Sequence, residues 1–414
     1  MTIESYDPAA PETLSRPEKF FAAMRRECPV FHDAQSNSYY LSRHADVREA
    51  ARRPNTFSSH RPIFGTGDPE LETIAAEGFR EVQTLTPNDP PIHTRYRKLV
   101  NRAFAPKKVA ALEPAITTIV HDLVGGLVEA GRDGAPVDFV AHFAALVPGY
   151  VIADALGVPR SDQKQFMSWT DDIMATIQAV EVLSRERQIE CKRSYVDFQH
   201  YFAEIIEQRR QQPGEDLISL LVTSRVDGER PLDVEEILDV IRIFLVAGNE
   251  TTASWIAGTL LLLLDHPEVL AEVRADRELL PQMLEESLRL VSPARWAMRT
   301  VEGDECPVVD GVELPAGSRA RLLWMSANHD EQTFPEPDRF DIRRDASQHV
   351  AFGYGVHLCL GAGLARAEAR IAFGVLLDRI ADVGLAIGRE DVRYLPMAGV
   401  SRLAELPVRI TATG

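Results

Sequence analysis

Phe352-Gly353-Tyr354-Gly355-Val356-His357-Leu358-Cys359-Leu360-Gly361 is the stretch on which the reading of this sequence turns. Glycines at 353, 355 and 361 permit backbone turns that other residues resist, so the segment reads as a tight loop. A helical pattern follows, from Gly363 to about Val383, and Cys359 sits just before it. A helix N-terminus offers unsatisfied N–H groups and the positive end of the macrodipole, both of which favour a thiolate. A lone cysteine is ordinarily an inert buried side chain. A thiolate, by contrast, is a good axial ligand for haem iron and pushes electron density that favours O–O cleavage. The surrounding sequence has to decide between the two.

Upstream, Ala247-Gly248-Asn249-Glu250-Thr251-Thr252 lies inside the longest helical pattern, Asp233 to about Asp265, which stops before Pro267. At the helical rise such a segment spans about 50 Å and should run through the core. Its centre is poorly made for a helix. An interior Gly costs about 1 kcal/mol relative to Ala, and a Thr hydroxyl can bond the carbonyl four residues back and bend the axis. A kink filled by a polar side chain would account for the pattern, but local rules also tend to fail at functional sites.

Glu286-Ser287-Leu288-Arg289 puts opposite charges at i, i+3 on one helix face, where they can pair. Taken alone, that arrangement is common on surface helices. Asp89-Pro90-Pro91-Ile92-His93-Thr94-Arg95-Tyr96-Arg97 places His93 and Arg97 four apart on one face of a helix start. The run from His93 to Lys108 holds Arg95, Arg97, Lys98, Arg102, Lys107 and Lys108 and no acid, against a formal net charge of −17 for the chain. The acidic total argues against general nucleic-acid binding. The basic run is either a solvated helix face or a patch that docks an acidic partner.

With 414 residues, 45% of them hydrophobic, the chain can bury a large core. No linker, repeat or low-complexity tract divides it, so a single domain over 1–414 is expected. Cys28, Cys191, Cys306 and Cys359 are far apart and form no CxxC pair, which points to a reducing compartment rather than a disulfide framework. The N-terminus is polar and acidic, unlike a secretory signal. The apolar stretch Ile241 to Leu264 is broken by Arg242, Asn249 and Glu250, so no membrane span is read there and a cytoplasmic location is expected. Short elements are predicted at Glu18–Glu27 (helix), Ser38–Leu41 (strand) and Ala45–Arg52 (helix), and residues 60–88 read as loop. Helices dominate from about 92 to 290. Val308 to Leu314 reads as a hairpin turning at Asp310-Gly311, and Arg319 to Trp324 as a strand. The fold class is therefore mainly α, an α+β arrangement with a small β region.

The loop at 352–361 resembles the haem-binding loop of cytochromes P450, Phe-Gly-x-Gly-x-His-x-Cys-x-Gly, at all six fixed positions. The resemblance extends from Thr56-Phe57-Ser58-Ser59 to the C-terminus. It implies the cytochrome P450 fold, with haem b between the long helix and the helix after Cys359. It makes Cys359 the iron ligand, His357 a propionate partner and Phe352 the aromatic that shields the sulfur. His93, Arg97 and Arg299 become further propionate partners. The stretch at 247–252 resembles the family's oxygen-activating turn, which makes Gly248 the residue that leaves room for O2, Thr251 its hydrogen-bond partner and Glu250 the proton source. Phe334 to Asp341 is similar to the segment that supplies a second arginine, so Glu286, Arg289 and Arg339 form a structural triad. Ala327-Asn328-His329-Asp330 departs from the family's Ala-Asn-Arg-Asp.

The activity so implied is NAD(P)H-dependent monooxygenation, with electrons from a ferredoxin and its reductase. The basic run at 93–108, joined by Arg366 and Arg370, would dock an acidic ferredoxin on the cysteine side. A medium-sized apolar substrate would meet the loop at 60–88, residues around 165–185, Ile243, Val246 and Ala247, then Ala294 to Met298 with Arg295, Trp296 and Met298, and a turn at Met397 to Val400. Arg295 could pair a substrate carboxylate, with a surface or a propionate role as the alternatives. The alternatives are an H2O2-dependent peroxygenase, which tends to lack the Glu250-Thr251 pair, and a haem-binding sensor, which would not need it.

Overall fold

A computed structural model describes residues 3, 6–61, 67–179, 183–226, 228–303 and 306–413. Parts of two expected substrate-contact stretches, 62–66 and 180–182, lie outside the described residues. The chain divides into two compact units. One comprises Met1–Ser59, Ile116–Pro148 and Glu250–Gly414; the other comprises His60–Ala115 and Gly149–Asn249.

The first unit carries the β structure. Five strands lie in the order Val30–Asp33, Ser38–Leu41, Arg319–Leu322, Ala297–Val301, Phe57–Ser58. Ser38–Leu41 and Arg319–Leu322 pair in parallel and the other neighbours are antiparallel. Every residue of Ser38–Leu41 is buried, because strands on both sides and side chains on both faces cover it. Val30, Leu41, Val47, Phe57, Val301, Leu322 and Trp324 form a core around this sheet. The expected hairpin pairs Val308–Val309 with Val312–Glu313, and both Asp310 and Gly311 have positive φ, 46° and 78°, as a type I′ turn requires. The helix after Cys359 spans Ala362–Arg379 and gives way to a strand, Ile380–Leu385, rather than running on to Val383. That strand joins Pro407–Ala412 and Val137–Asp138 in a second sheet.

The second unit is helical, with Ile92–Val100, Gln163–Ala179, Arg185–Gln211 and Leu217–Thr223 as its main complete helices. Phe166, Trp169, Phe198 and Phe202 interlock at its centre. The region read as loop contains a helix, Pro69–Ala75. Its signal is local and legible: Oδ1 of Asp68 accepts from the N–H groups of Glu70 and Leu71 at 3.0 and 3.2 Å, and Pro69 occupies the first helical position, where its missing N–H costs nothing.

The long helix spans Val234–Asp265, and its residues pass from the second unit to the first at Asn249/Glu250. It starts with a reciprocal cap: Oδ1 of Asp233 accepts from the Glu236 N–H, and Oε2 of Glu236 accepts from the Asp233 N–H, both at 2.9 Å. Arg95, Arg230 and Tyr96 also bond Glu236. Burial alone would raise the Glu236 carboxyl, but these donors outweigh it and hold it at about 2. Arg95 also pairs with Glu229 at 3.0 Å, so it is committed to this start and is not part of an open basic face.

The only helix among the described residues that is long and apolar enough to cross a membrane is Pro106–Ala130, with a mean hydropathy of 1.3 in its most apolar window. The apolar stretch at 241–264 does not meet that measure.

Candidate active site

Two glycines shape the cysteine loop. Gly353 and Gly355 have φ of 73° and 75°, in the left-handed region that side chains resist. At Gly355 space is limiting as well, since an added Cβ would lie 2.3 Å from the carbonyl oxygen of Ala51. The loop therefore sits directly on the helix His44–Arg52. Tyr354 fastens it there, its hydroxyl accepting from Arg48 Nη2 at 2.9 Å and Arg52 Nη2 at 2.8 Å. These two hydrogen bonds pull the phenol below the usual tyrosine range. Within the loop, the Leu358 N–H donates to Gly355 O and the Cys359 N–H to Phe352 O, at 3.1 and 2.9 Å.

The consequence is an exposed Cys359 flanked by Val356 and Leu358, which are 38% and 48% exposed. Globular proteins seldom present a soft donor in an apolar surround with the N-terminus of a helix directly behind it. That donor set fits a flat apolar macrocycle with a thiolate-seeking iron, so the chemistry expected of haem agrees with the residues here.

Behind the loop, the guanidinium of Arg366 lies 4.5 Å over the Phe352 ring, and Trp255 meets the same ring edge-on at 6.3 Å. Arg366 is held by both oxygens of Glu285, at 2.6 and 2.9 Å, and His349 approaches Glu285 at 3.1 Å. Arg366 is thus paired rather than an open docking charge. Burial would push the Glu285 carboxyl up, but Arg366 and His349 overcome this and hold it at about 2. A group so depressed contributes stability that is fully present above its ordinary value of 4.5 and is lost as pH falls toward about 2. Glu285→Gln should therefore flatten the acid limb of a stability–pH curve below about pH 4.5, measured by urea denaturation.

Glu286 and Arg289 pair as expected, with both side chains 0% exposed and two bonds of 2.8 Å. The third member is not Arg339. That side chain is 63% exposed and pairs with Glu336 on the surface. Arg344 instead reaches Glu286 Oε1 at 3.0 Å. The chain doubles back at Asp341, whose N–H also donates to Glu286 at 3.3 Å, and this carries Arg344 inward while Arg339 stays outside the turn. Arg289 Nη1 donates to Asn328 O at 2.7 Å, and Asn328 Oδ1 accepts from the Val350 N–H at 2.7 Å. The triad thus anchors the backbone two residues before Phe352. The departure at His329 is absorbed locally, its ring bridging Asp338 and the carbonyl of Leu290 at 2.8 and 3.2 Å.

Still in the first unit, Glu250 is buried and its Oε1 accepts from Arg402 Nη1 at 2.9 Å. Thr251 is half-buried beside it in sequence. Arg299 is buried on the strand Ala297–Val301, with Nη1 donating to Met298 O at 2.7 Å; Met298 is half-buried. His357 is half-buried in the loop. Arg295 does not serve a substrate carboxylate: it is 1% exposed and its guanidinium is taken by the carbonyls of Leu14, Met397 and Ser15. Three backbone acceptors leave it a structural staple. Trp296 likewise donates to Ala398 O at 2.7 Å.

In the second unit, the long helix changes character abruptly. Ile241 and Leu245 are fully buried, Ile243 and Val246 are half-buried, and Ala247 and Gly248 are exposed. A Cβ on Gly248 would meet nothing within 4 Å. His93 is buried and Arg97 half-buried on Ile92–Val100. Burial, with Arg97 adding to it, lowers the His93 imidazole below its ordinary value.

Sequence reasoning missed Arg344, Arg402 and the Arg48–Tyr354–Arg52 clamp. Each depends on a partner far away in sequence, and none carries a local signal. The first unit also has a cleft of about 830 Å³ beside the loop, lined by Arg48, Arg343, Arg344, Arg366, Glu285 and Leu358 among others.

A family model described as Cytochrome P450 matches residues 27–380. The vitamin D(3) 25-hydroxylase of Pseudonocardia autotrophica is 35% identical over 415 residues, covering 98% of this chain and 96% of that protein. Of solved structures, cytochrome P450 CYP109Q5 from Chondromyces apiculatus matches with a TM-score of 0.86 at 36% identity over 100% of both chains. CYP109E1 from Bacillus megaterium in complex with testosterone matches with a TM-score of 0.81 at 33% identity, covering 95% of this chain and 99% of that one.

Proposed function

The chain belongs to the cytochrome P450 family and is a monooxygenase of that kind, and from this we propose that it inserts one oxygen atom into a medium-sized, neutral, apolar molecule. Haem b, held by Cys359, would supply the oxygen activation. The observation that carries the reading is the glycine-shaped loop that presents Cys359 in an apolar surround.

The protein's own residues have distinct tasks. Cys359 binds the iron as thiolate, favoured by the helix N-terminus behind it. Phe352, covered by Arg366, keeps water from the sulfur. His357, Arg299, Arg97 and His93 bind the propionates, whose charge needs partners when buried. Gly248 leaves room for O2. Thr251 orients it through its hydroxyl and Glu250 delivers protons to that hydroxyl, because splitting O–O heterolytically consumes two protons.

Ile243, Val246 and Ala247 are the substrate contacts we favour on the helix. With Arg295 bound to backbone, no fixed cation from that position selects an acid, which supports a neutral substrate. Two relatives point the same way: one is named for vitamin D(3) and another binds testosterone. Electrons would come from NAD(P)H through a ferredoxin-type protein. The support is the basic run, where Lys98, Arg102, Lys107 and Lys108 are exposed and an acidic partner is favoured. A cytoplasmic setting is in keeping with few, scattered cysteines.

The test is the absorption spectrum of the haem-loaded protein, reduced and CO-bound, followed by titration with neutral sterols. A strongly red-shifted Soret band and a sterol-induced spin-state shift are expected. An unshifted CO band would remove the thiolate, and sterols without effect would remove the substrate class.

A further inference from the structure

The second unit holds a cavity of about 420 Å³ between the loop at 80–83, the helices Gln163–Ala179 and Arg185–Gln211 and the first turns of the long helix. That volume is within the range of small-molecule sites. Leu71, Val82, Ile173, Ile177 and Leu238 give it apolar walls. Its charges balance in sign. Lys192 Nζ bonds Glu81 at 2.9 Å, Arg242 Nε bonds Asp239 Oδ1 at 3.1 Å, and Arg80 is matched by Glu235. Its neutral polar groups are committed too, with one exception. Thr176 donates to Ile173 O at 2.8 Å and Gln188 to Leu183 O at 3.1 Å, and the Gln199 amide exchanges two bonds with the Phe79 backbone at 3.1 and 3.2 Å. The exception is Gln83: its carbonyl accepts from Asn88 at 2.9 Å, but among the described residues its side-chain amide has no bond. Gln83 is nonetheless held in place. The next residue, Thr84, gives both its N–H and its hydroxyl to Asp239 Oδ2, each at 2.8 Å. Gln83 therefore stands level with Asp239, nine residues before Gly248 on the long helix, which is about 14 Å along its axis. Val246 lies one turn beyond Arg242, so the cavity continues the helix face that carries this favoured substrate contact.

We propose that this cavity takes the end of the substrate remote from the oxidised carbon, and that Gln83 selects it by hydrogen-bonding an uncharged hydroxyl or carbonyl group there. This rests on the monooxygenase reading and narrows its substrate class. The molecule is elongated and neutral, with a polar group about 14 Å from the carbon that is oxidised. An amide suits that choice, because its NH2 donates to a carbonyl and its oxygen accepts from a hydroxyl. An ionic end would meet no net counter-charge among the balanced groups, and burying an unpaired charge is costly. A purely hydrocarbon end would strip water from the Gln83 amide and leave it unbonded, which a site built around such a group discriminates against.

Imidazoles with a straight alkyl chain test this in the haem-loaded full chain. The ring ligates the iron, the Soret band reports binding, and the chain length sets the reach. The probes are 1-undecylimidazole, 1-butylimidazole and the counterpart of each with a hydroxyl at the chain end. In the wild-type protein the undecyl probe is expected to bind at least as tightly with the hydroxyl end as with the methyl end. Gln83→Leu should worsen the hydroxyl-to-methyl affinity ratio of the undecyl pair on the order of tenfold and leave that of the butyl pair unchanged. Ile177→Trp fills the cavity from a position already 50% exposed. It should weaken both undecyl probes on the order of tenfold and spare both butyl probes. Gln83→Met replaces Gln83→Leu should the latter not fold. An undecyl ratio unchanged by the loss of the amide, a butyl ratio that changes equally, or undecyl probes indifferent to Ile177→Trp would each overturn the proposal. So would undecyl probes that fail to bind wild-type protein where butyl probes bind. A red-shifted CO band in each variant keeps the family reading intact whichever way this falls, whereas its absence from the wild-type protein would remove that reading instead.

Discussion

Cys359→His is expected to give a folded protein that still takes up haem, lacks the red-shifted ferrous–CO band and has no detectable turnover. The fold should survive because the loop is shaped by its backbone. Cys359 contributes its backbone N–H to Phe352 O, the turns are made by Gly353 and Gly355, and the side chain itself is exposed. What changes is the donor. A neutral imidazole can ligate iron but does not push electron density as a thiolate does, so the CO band should resemble that of a histidine-ligated haem. The check is the CO spectrum beside a melting curve. Unaltered stability with a lost red shift places the ligand, while a retained red shift would assign it elsewhere.

Glu286→Ala should be the most destabilising substitution outside the loop. It strips the carboxylate from Arg289, which is fully buried, and an uncompensated buried charge costs about 3–5 kcal/mol. The damage should travel, since Arg289 holds the Asn328 carbonyl and Asn328 holds Val350. Haem retention should therefore fall together with stability. Arg344→Ala removes one charged hydrogen bond to Glu286, worth roughly 1.5–3 kcal/mol. Arg339→Ala touches only a surface pair and should stay within about 0.5 kcal/mol of wild type. Urea denaturation of the three variants gives the order, and an Arg339→Ala effect as large as that of Arg344→Ala would reverse the assignment.

Arg339 and Arg344 also mark the limit of sequence reading. Both lie in one turn-rich stretch, and position within a motif cannot say which of them faces inward; the chain reversal at Asp341 decides. Arg295 is a second case. An arginine in an apolar stretch reads as a possible substrate partner until three carbonyls from two distant segments are seen to claim it. Pro69–Ala75 is a different kind of case, because Asp68-Pro69 is an ordinary helix-start signal set in a stretch without clear periodicity.

The sequence by itself determined the family, the mainly α class with a minor β part, the hairpin at Asp310-Gly311, the long helix and the cysteine that defines the chemistry. These are legible because they rest on local rules: helical period, positive-φ glycines, caps and a short contiguous motif. Only the tertiary structure decided that Arg344 completes the triad, that Tyr354 is clamped by Arg48 and Arg52, and that Arg402 pairs with Glu250. Each of these joins side chains tens to hundreds of residues apart, and a buried charge takes whichever partner the packed chain brings within about 3 Å, a choice no local pattern encodes.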